Sequence, residues 1–207
     1  MRYCEDTGLF SIDRSRLSCI HATRYCKEHC YNKKLYRVFP GMVPKDDKNE
    51  IAWKALTGAT LRKELAKKKL PTKRFRFMTR GEAFTCSEDV EKIRDILTSN
   101  PATLFWIPTR AWRNATLRKE IEITLLPLRN ARIMASIDPS NTSEELTNIT
   151  NWSIMGFGWQ NKEEMEEKTG LQAKNCPKTY DHIKGACRTC KGRCFSPKRQ
   201  VIFLDKH

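Results

Sequence analysis

The stretch Arg74-Phe-Arg-Phe-Met78, followed by Thr103-Leu-Phe-Trp-Ile107, Ala131-Arg-Ile-Met-Ala-Ser-Ile137 and Trp152-Ser-Ile-Met-Gly-Phe157, decides the fold. Each run is short and rich in β-branched or aromatic residues, as a strand buried in a parallel sheet requires. Between them, Glu88 to Leu97 places Val90, Ile93, Ile96 and Leu97 at helical spacing, Ala115 to Leu126 is again helical, and so is Ser143 to Ile149. Strand and helix alternate at the spacing of right-handed crossovers, which predicts a parallel α/β sheet. The residues just past each strand are polar or small: Thr79-Arg-Gly-Glu82, Thr109-Arg110, Ser136 with Asp138, and Gly158-Trp-Gln160. Ligands of such folds sit at the carboxyl ends of the strands, so these loops are expected to line a site.

Working outward, Leu9-Phe-Ser-Ile12 reads as a strand that feeds a cysteine loop, and Pro40 to Lys48 reads as a loop. Ile51 to Lys69 reads as one helix with Gly58 weakening its middle and Pro71 closing it. From Gln172 onward the chain is basic and cysteine-rich, with little periodicity before Val201-Ile-Phe-Leu204. The expected architecture is a partial (β/α) barrel or open parallel sheet of about five strands over residues 1–171, with a metal-bound extension packed on it over 172–207.

At 207 residues with 39% hydrophobic content the chain can bury one sizeable core, and no apolar run reaches the roughly 18 residues that a membrane span needs. The first residues, Met1-Arg-Tyr-Cys-Glu-Asp6, are acidic where an export signal is basic and then apolar, so a cytoplasmic location is expected. Lys plus Arg number 39 against 24 Asp plus Glu, a formal charge of +15. Two four-iron clusters at about −2 each would still leave about +11, and that excess makes nucleic acid a candidate partner. Lys67, Lys68, Lys69, Lys73, Arg74 and Arg76 are the candidate contact patch, with a second basic region from Lys184 to Lys198.

Nine cysteines in a reducing compartment point to metal rather than disulfides. They fall into two sets, Cys4, Cys19, Cys26 and Cys30 early and Cys176, Cys187, Cys190 and Cys194 late, leaving Cys86 apart. Three thiolates between Cys19 and Cys30 can share one 4Fe–4S cluster and leave an iron open. Cys4 is the candidate that would close it; His21 and His29 are weaker ones. Zinc is the alternative occupant, since thiolates with a neighbouring His also suit a tetrahedral ion. In the late set, the Cys187-x2-Cys190 pair marks a second metal site, for zinc or for a second cluster.

The combination of Cys-x3-Cys-Tyr31, Arg80-Gly-Glu-Ala-Phe84, Trp106-Ile-Pro-Thr-Arg110, Ile133-Met-Ala-Ser-Ile-Asp138, the late cysteines and the terminal Val201-Ile-Phe-Leu-Asp-Lys-His207 resembles the phage "gene product eighty-eight" family. Those proteins look like shortened relatives of the radical S-adenosylmethionine enzymes. The likeness implies a three-cysteine loop after the first strand, matched by Cys19, Cys26 and Cys30, and a Gly-Glu turn after the second, matched by Gly81 and Glu82, that binds the methionine amino group. The spacing here is Cys-x6-Cys-x3-Cys, where those enzymes use Cys-x3-Cys-x2-Cys. On that reading S-adenosylmethionine lies on Gly81 and Glu82, and a substrate touches Thr109, Arg110, Ser136 or Asp138. The competing reading is a metal-stabilised module that binds nucleic acid or a host protein.

Overall fold

The order of the strands follows the order of the chain almost to its end. The computed structural model describes residues 2–4, 7–67, 74–180, 187, 190 and 193–205. Among them are β1 (Arg2–Cys4), β2 (Leu9–Ile12), β3 (Arg74–Phe77), β4 (Leu104–Thr109), β5 (Ala131–Ile137), β6 (Ser153–Phe157), β7 (Lys174–Asn175) and β8 (Val201–Leu204). They form one open sheet in the order β1-β2-β3-β4-β5-β6-β8-β7. The edge strand β1 runs antiparallel to β2, and every other pairing is parallel.

Alternation along the strands sends Phe10, Phe75, Phe77, Phe105, Ile107, Ile133, Ala135, Ile137, Ile154 and Phe203 into one core. The helices cover that face. Trp53 comes from α3 (Met42–Ala55), Leu61 from α4 (Gly58–Ala66), Val90, Ile93 and Ile96 from α5 (Ser87–Ser99), and Leu117 and Ile121 from α6 (Ala115–Thr124). Leu146 of α7 (Ser143–Thr147) and Met165 of α8 (Lys162–Thr169) complete it. The other face carries a smaller cluster, Leu9, Trp106, Met134, Met155 and Ile202, which is covered by Phe195 and by Cys176, Cys187 and Cys194.

Four expectations change. The sheet has eight strands among the described residues rather than about five. The cysteine-rich end is not an appendage, because β8 pairs with β6 and β7 pairs with β8, so one sheet runs across the expected boundary at 171. Pro40 to Lys48 is mostly helix: α3 starts at Met42, and Pro44 falls in its first turn, where a missing N–H costs nothing. The helix expected from Ile51 to Lys69 breaks at Leu56 and Thr57, where Thr57 and Thr60 form a capping box that starts α4. Helix α8 has no amphipathic signal, since only Met165 is buried in Lys162-Glu-Glu-Met-Glu-Glu-Lys-Thr169. Its readable marks are the Asn161 cap, the acidic first turn and Gly170 in the left-handed conformation.

Candidate metal centre

Three of the four early cysteines come together. Cys19 follows the 3-10 turn Arg16–Ser18, Cys26 lies in α1 (Arg24–Glu28), and Cys30 is the residue that starts α2 (Tyr31–Val38). Burial pushes the Cys19 thiol up to about 12, with further upward contributions from the nearby Glu82, Cys26 and Cys30 and a downward one from Arg110. Burial also raises Cys26, against the pull of Arg110. Desolvated thiols that crowd one another stay protonated unless a cation neutralises them.

Cys4 does not join them. The antiparallel β1 sets Cys4 opposite Leu9, the first residue of β2, whereas Cys19 lies beyond the last residue of β2. Cys4 and Cys19 are therefore at opposite ends of the strand. His29 Nδ1 contacts Tyr25 O at 3.1 Å and its ring stacks on Tyr25 at 4.1 Å.

The loop that carries the thiols is clamped by the loops beyond four parallel strands. After β3, Glu82 N donates to Ser18 Oγ at 2.7 Å. After β4, Arg113 Nη1 donates to His21 O at 3.2 Å. After β5, Asp138 Oδ2 accepts from Thr23 Oγ1 at 2.5 Å, and Thr23 Oγ1 in turn accepts from Cys26 N at 2.9 Å. After β6, Gly158 O accepts from Tyr25 Oη at 2.7 Å. Gly158 has φ +93°, and a Cβ there would meet the Tyr25 ring at 2.5 Å.

The residues singled out in the sequence thus lie together, though several act within the protein. Glu82 accepts from Ala83 N, Phe84 N and Thr109 Oγ1 through Oε1, and from Arg110 N through Oε2. Three of these donors fall on Oε1 and one on Oε2, so the carboxylate ties the β3 and β4 loops together while Oε2 keeps room for one further donor. Burial raises its pKa, and those hydrogen bonds only partly oppose the rise. Thr109 supplies one of the donors, and Ser136 O accepts from Trp112 Nε1 at 3.0 Å. The Arg110 guanidinium pairs with Asp138 at 2.7 Å and stacks over Phe157, and its charge lies beside Cys19 and Cys26. Sequence reasoning missed Ser18, Thr23 and Tyr25, whereas Gly158 lies in a loop it had marked. The one local signal was Thr23, three residues before Cys26, at N-cap spacing.

Gly81 explains why the Gly-Glu turn needs glycine. Its φ is +79°, and a Cβ would meet Arg14 Cβ and Ser18 Oγ at 2.8 Å and Arg14 O at 2.9 Å. Gly81→Ala is expected to lose about 2 kcal/mol or more of stability in denaturant titration, from left-handed strain plus the clash. A loss below about 0.5 kcal/mol would mean that the turn does not dock tightly under the cysteine loop.

The late cysteines also converge. Cys176, Cys187, Cys190 and Cys194 line one cavity of about 20 Å³ with Trp106, Phe195 and Ile202. Burial pushes Cys187 up to about 11 and Cys194 well above its ordinary value, with the other thiols of the set adding to both. As placed, no three His, Cys, Asp or Glu side chains among the described residues share a single ion.

Three residues of the candidate basic patch have contacts within the described protein. Arg74 Nη1 donates to Cys187 O at 3.1 Å and its guanidinium lies over Phe195, while Arg76 lies over Trp106 at 4.5 Å. Both face the cysteine-rich segment. Lys67 pairs with Glu64 at 2.7 Å. Lys68, Lys69 and Lys73 lie outside the described residues, as do Lys184, Arg188 and Lys191 of the second basic region. No helix among the described residues is long and apolar enough to cross a membrane.

Neither a curated protein nor a solved structure matches the chain. The gene product 88 family matches residues 7–196, a span that takes in the sheet from β2 to β7, the three-cysteine loop with its four clamps and all four late cysteines. The chain belongs to the gene product 88 family.

Proposed function

We propose that this protein binds a 4Fe–4S cluster through Cys19, Cys26 and Cys30, with one iron left open to a ligand at the carboxyl end of the sheet. One observation carries the reading: three thiols converge on a loop that the loops beyond β3, β4, β5 and β6 all hold in place. No fourth cysteine reaches that point, since Cys4 lies at the other end of β2. Fixing three thiolates and withholding a fourth suits a cluster with a ligand-binding iron better than a closed electron carrier.

S-adenosylmethionine is the candidate ligand, and the supporting features are the family likeness and the Gly81-Glu82 turn under the cysteine loop. A reduced cluster of this kind supplies one-electron chemistry to a ligand on its open iron. The protein's own part is positional. Glu82 fixes the β3 and β4 loops, Asp138 fixes Thr23 and Arg110, and Arg110 places a cation beside Cys19 and Cys26, where it favours an anionic cluster and a carboxylate-bearing ligand.

The test uses anaerobically prepared, reduced protein. Adding S-adenosylmethionine is expected to perturb the electron paramagnetic resonance spectrum of the cluster. An iron-loaded protein whose spectrum ignores the compound would remove the ligand assignment, and a colourless protein without iron would remove the cluster.

A further inference from the structure

We infer that Cys176, Cys187, Cys190 and Cys194 hold a single zinc-type ion in a closed tetrathiolate centre, not a second cluster, and that this centre fastens the end of the chain over the second face of the sheet. The first ground is size. The cavity that the four thiols line measures about 20 Å³, a space of the size that one water-sized body fills. As placed no three of the thiols share one ion, so closing the centre draws them inward to zinc–sulfur distances of about 2.3 Å.

The second ground is charge. Four thiolates around a divalent ion carry a net charge of −2, and a wall of the site is built to meet it. Arg76 acts electrostatically on both Cys187 and Cys194, Lys178 acts on Cys187, and Arg76 Nε has no acceptor among the described residues. An N–H donor aimed at thiolates is the usual outer partner of such a centre.

The third ground is what the segment holds and what holds it. Arg74 reaches Cys187 O, Arg132 Nε donates to Phe195 O at 3.0 Å, and Arg193 reaches Asn175 O. Cys176 N donates to Phe203 O at 2.9 Å. Among the described residues between β7 and β8 are the four-residue helix Pro177–Tyr180 and the turn Arg193–Phe195. This segment is what covers Trp106, Met134, Met155 and Ile202. A closed metal supplies order there, and with no open position it has no substrate to bind.

The experiment is a metal count on protein expressed with both iron and zinc supplied and purified anaerobically. Wild type is expected to hold one zinc beside the iron of the first site. Cys190→Ala should lose the zinc and keep the iron, and Cys26→Ala should do the reverse. Arg76→Met should weaken zinc binding about 10- to 100-fold in a chelator competition, with partial recovery in Arg76→Lys. Should Cys190→Ala fail to fold, cobalt(II) loaded into wild type replaces it, and intense visible d–d bands of a tetrahedral thiolate complex are expected. Zinc-free wild type that loses iron in Cys190→Ala, or cobalt without those bands, overturns the inference. A colourless protein with one zinc would overturn the first site alone.

Discussion

Cys26→Ala is expected to emerge from anaerobic purification with about four fewer irons per chain than wild type, without the broad absorption near 400 nm that thiolate-to-iron charge transfer gives. The size of the effect follows from the count of ligands. Only Cys19, Cys26 and Cys30 converge at this point, so the loss of one leaves two, and a cluster with a pair of thiolates does not persist. Stability should fall along with the iron, because metal binding and folding of the loop share one free energy. Cys86→Ala is the control. Cys86 is exposed at the start of α5, so it should lose neither iron nor stability. Iron retained in Cys26→Ala would mean that Cys26 is not a ligand and that the loop is clamped for another purpose.

The spacing of the cysteines fits this picture in a way that the sequence alone does not disclose. Six residues separate Cys19 from Cys26, three more than in the radical S-adenosylmethionine pattern. Within them lie Thr23, which caps α1 and donates to Asp138, and Tyr25, which reaches over to Gly158. The longer loop thus carries its own anchors to the β5 and β6 loops.

The strands were legible because a parallel sheet covered on its first face by helices and on its second by a chain segment leaves apolar runs that need no partner to be recognised. Thr103 to Ile107 and Ala131 to Ile137 are such runs. What was not legible depends on long-range pairing. Nothing local in Val201-Ile-Phe-Leu204 says that it slips between β6 and β7. Nothing in the sequence position of Cys4 says that an antiparallel turn carries it away from Cys19. Glu82 and Asp138 stand out in the sequence from their place after strands, but the partners they hold do not, since some of the donors come from residues up to 115 positions away.

Asp138 is the group whose removal should cost the protein most outside the thiols. It is fully buried, and it accepts from Thr23 Oγ1 at 2.5 Å, Ser140 Oγ at 2.6 Å and Ser140 N at 3.0 Å while pairing with Arg110 at 2.7 Å. Asp138→Asn keeps the shape but leaves the Arg110 charge buried without a counter-ion, an omission that typically costs about 3–5 kcal/mol. The dependence on pH gives a second, independent signature. Burial alone would raise the Asp138 pKa, but Arg110, Ser140 and Thr23 outweigh it and hold the carboxyl below its ordinary value. A depressed carboxylate stabilises the folded state above its unfolded pKa of ~4, and that stability is lost as the pH falls through the folded value. Denaturant titrations of wild type and Asp138→Asn should therefore differ most near neutral pH and converge below ~4, as the wild-type carboxyl takes up its proton. A gap that stays below about 1 kcal/mol at neutral pH, or that is the same at every pH, would show that Arg110 finds another counter-charge when Asp138 is gone. The thiolates of Cys19 and Cys26 are the groups placed to provide it, so the comparison is to be made with the first site both loaded and empty.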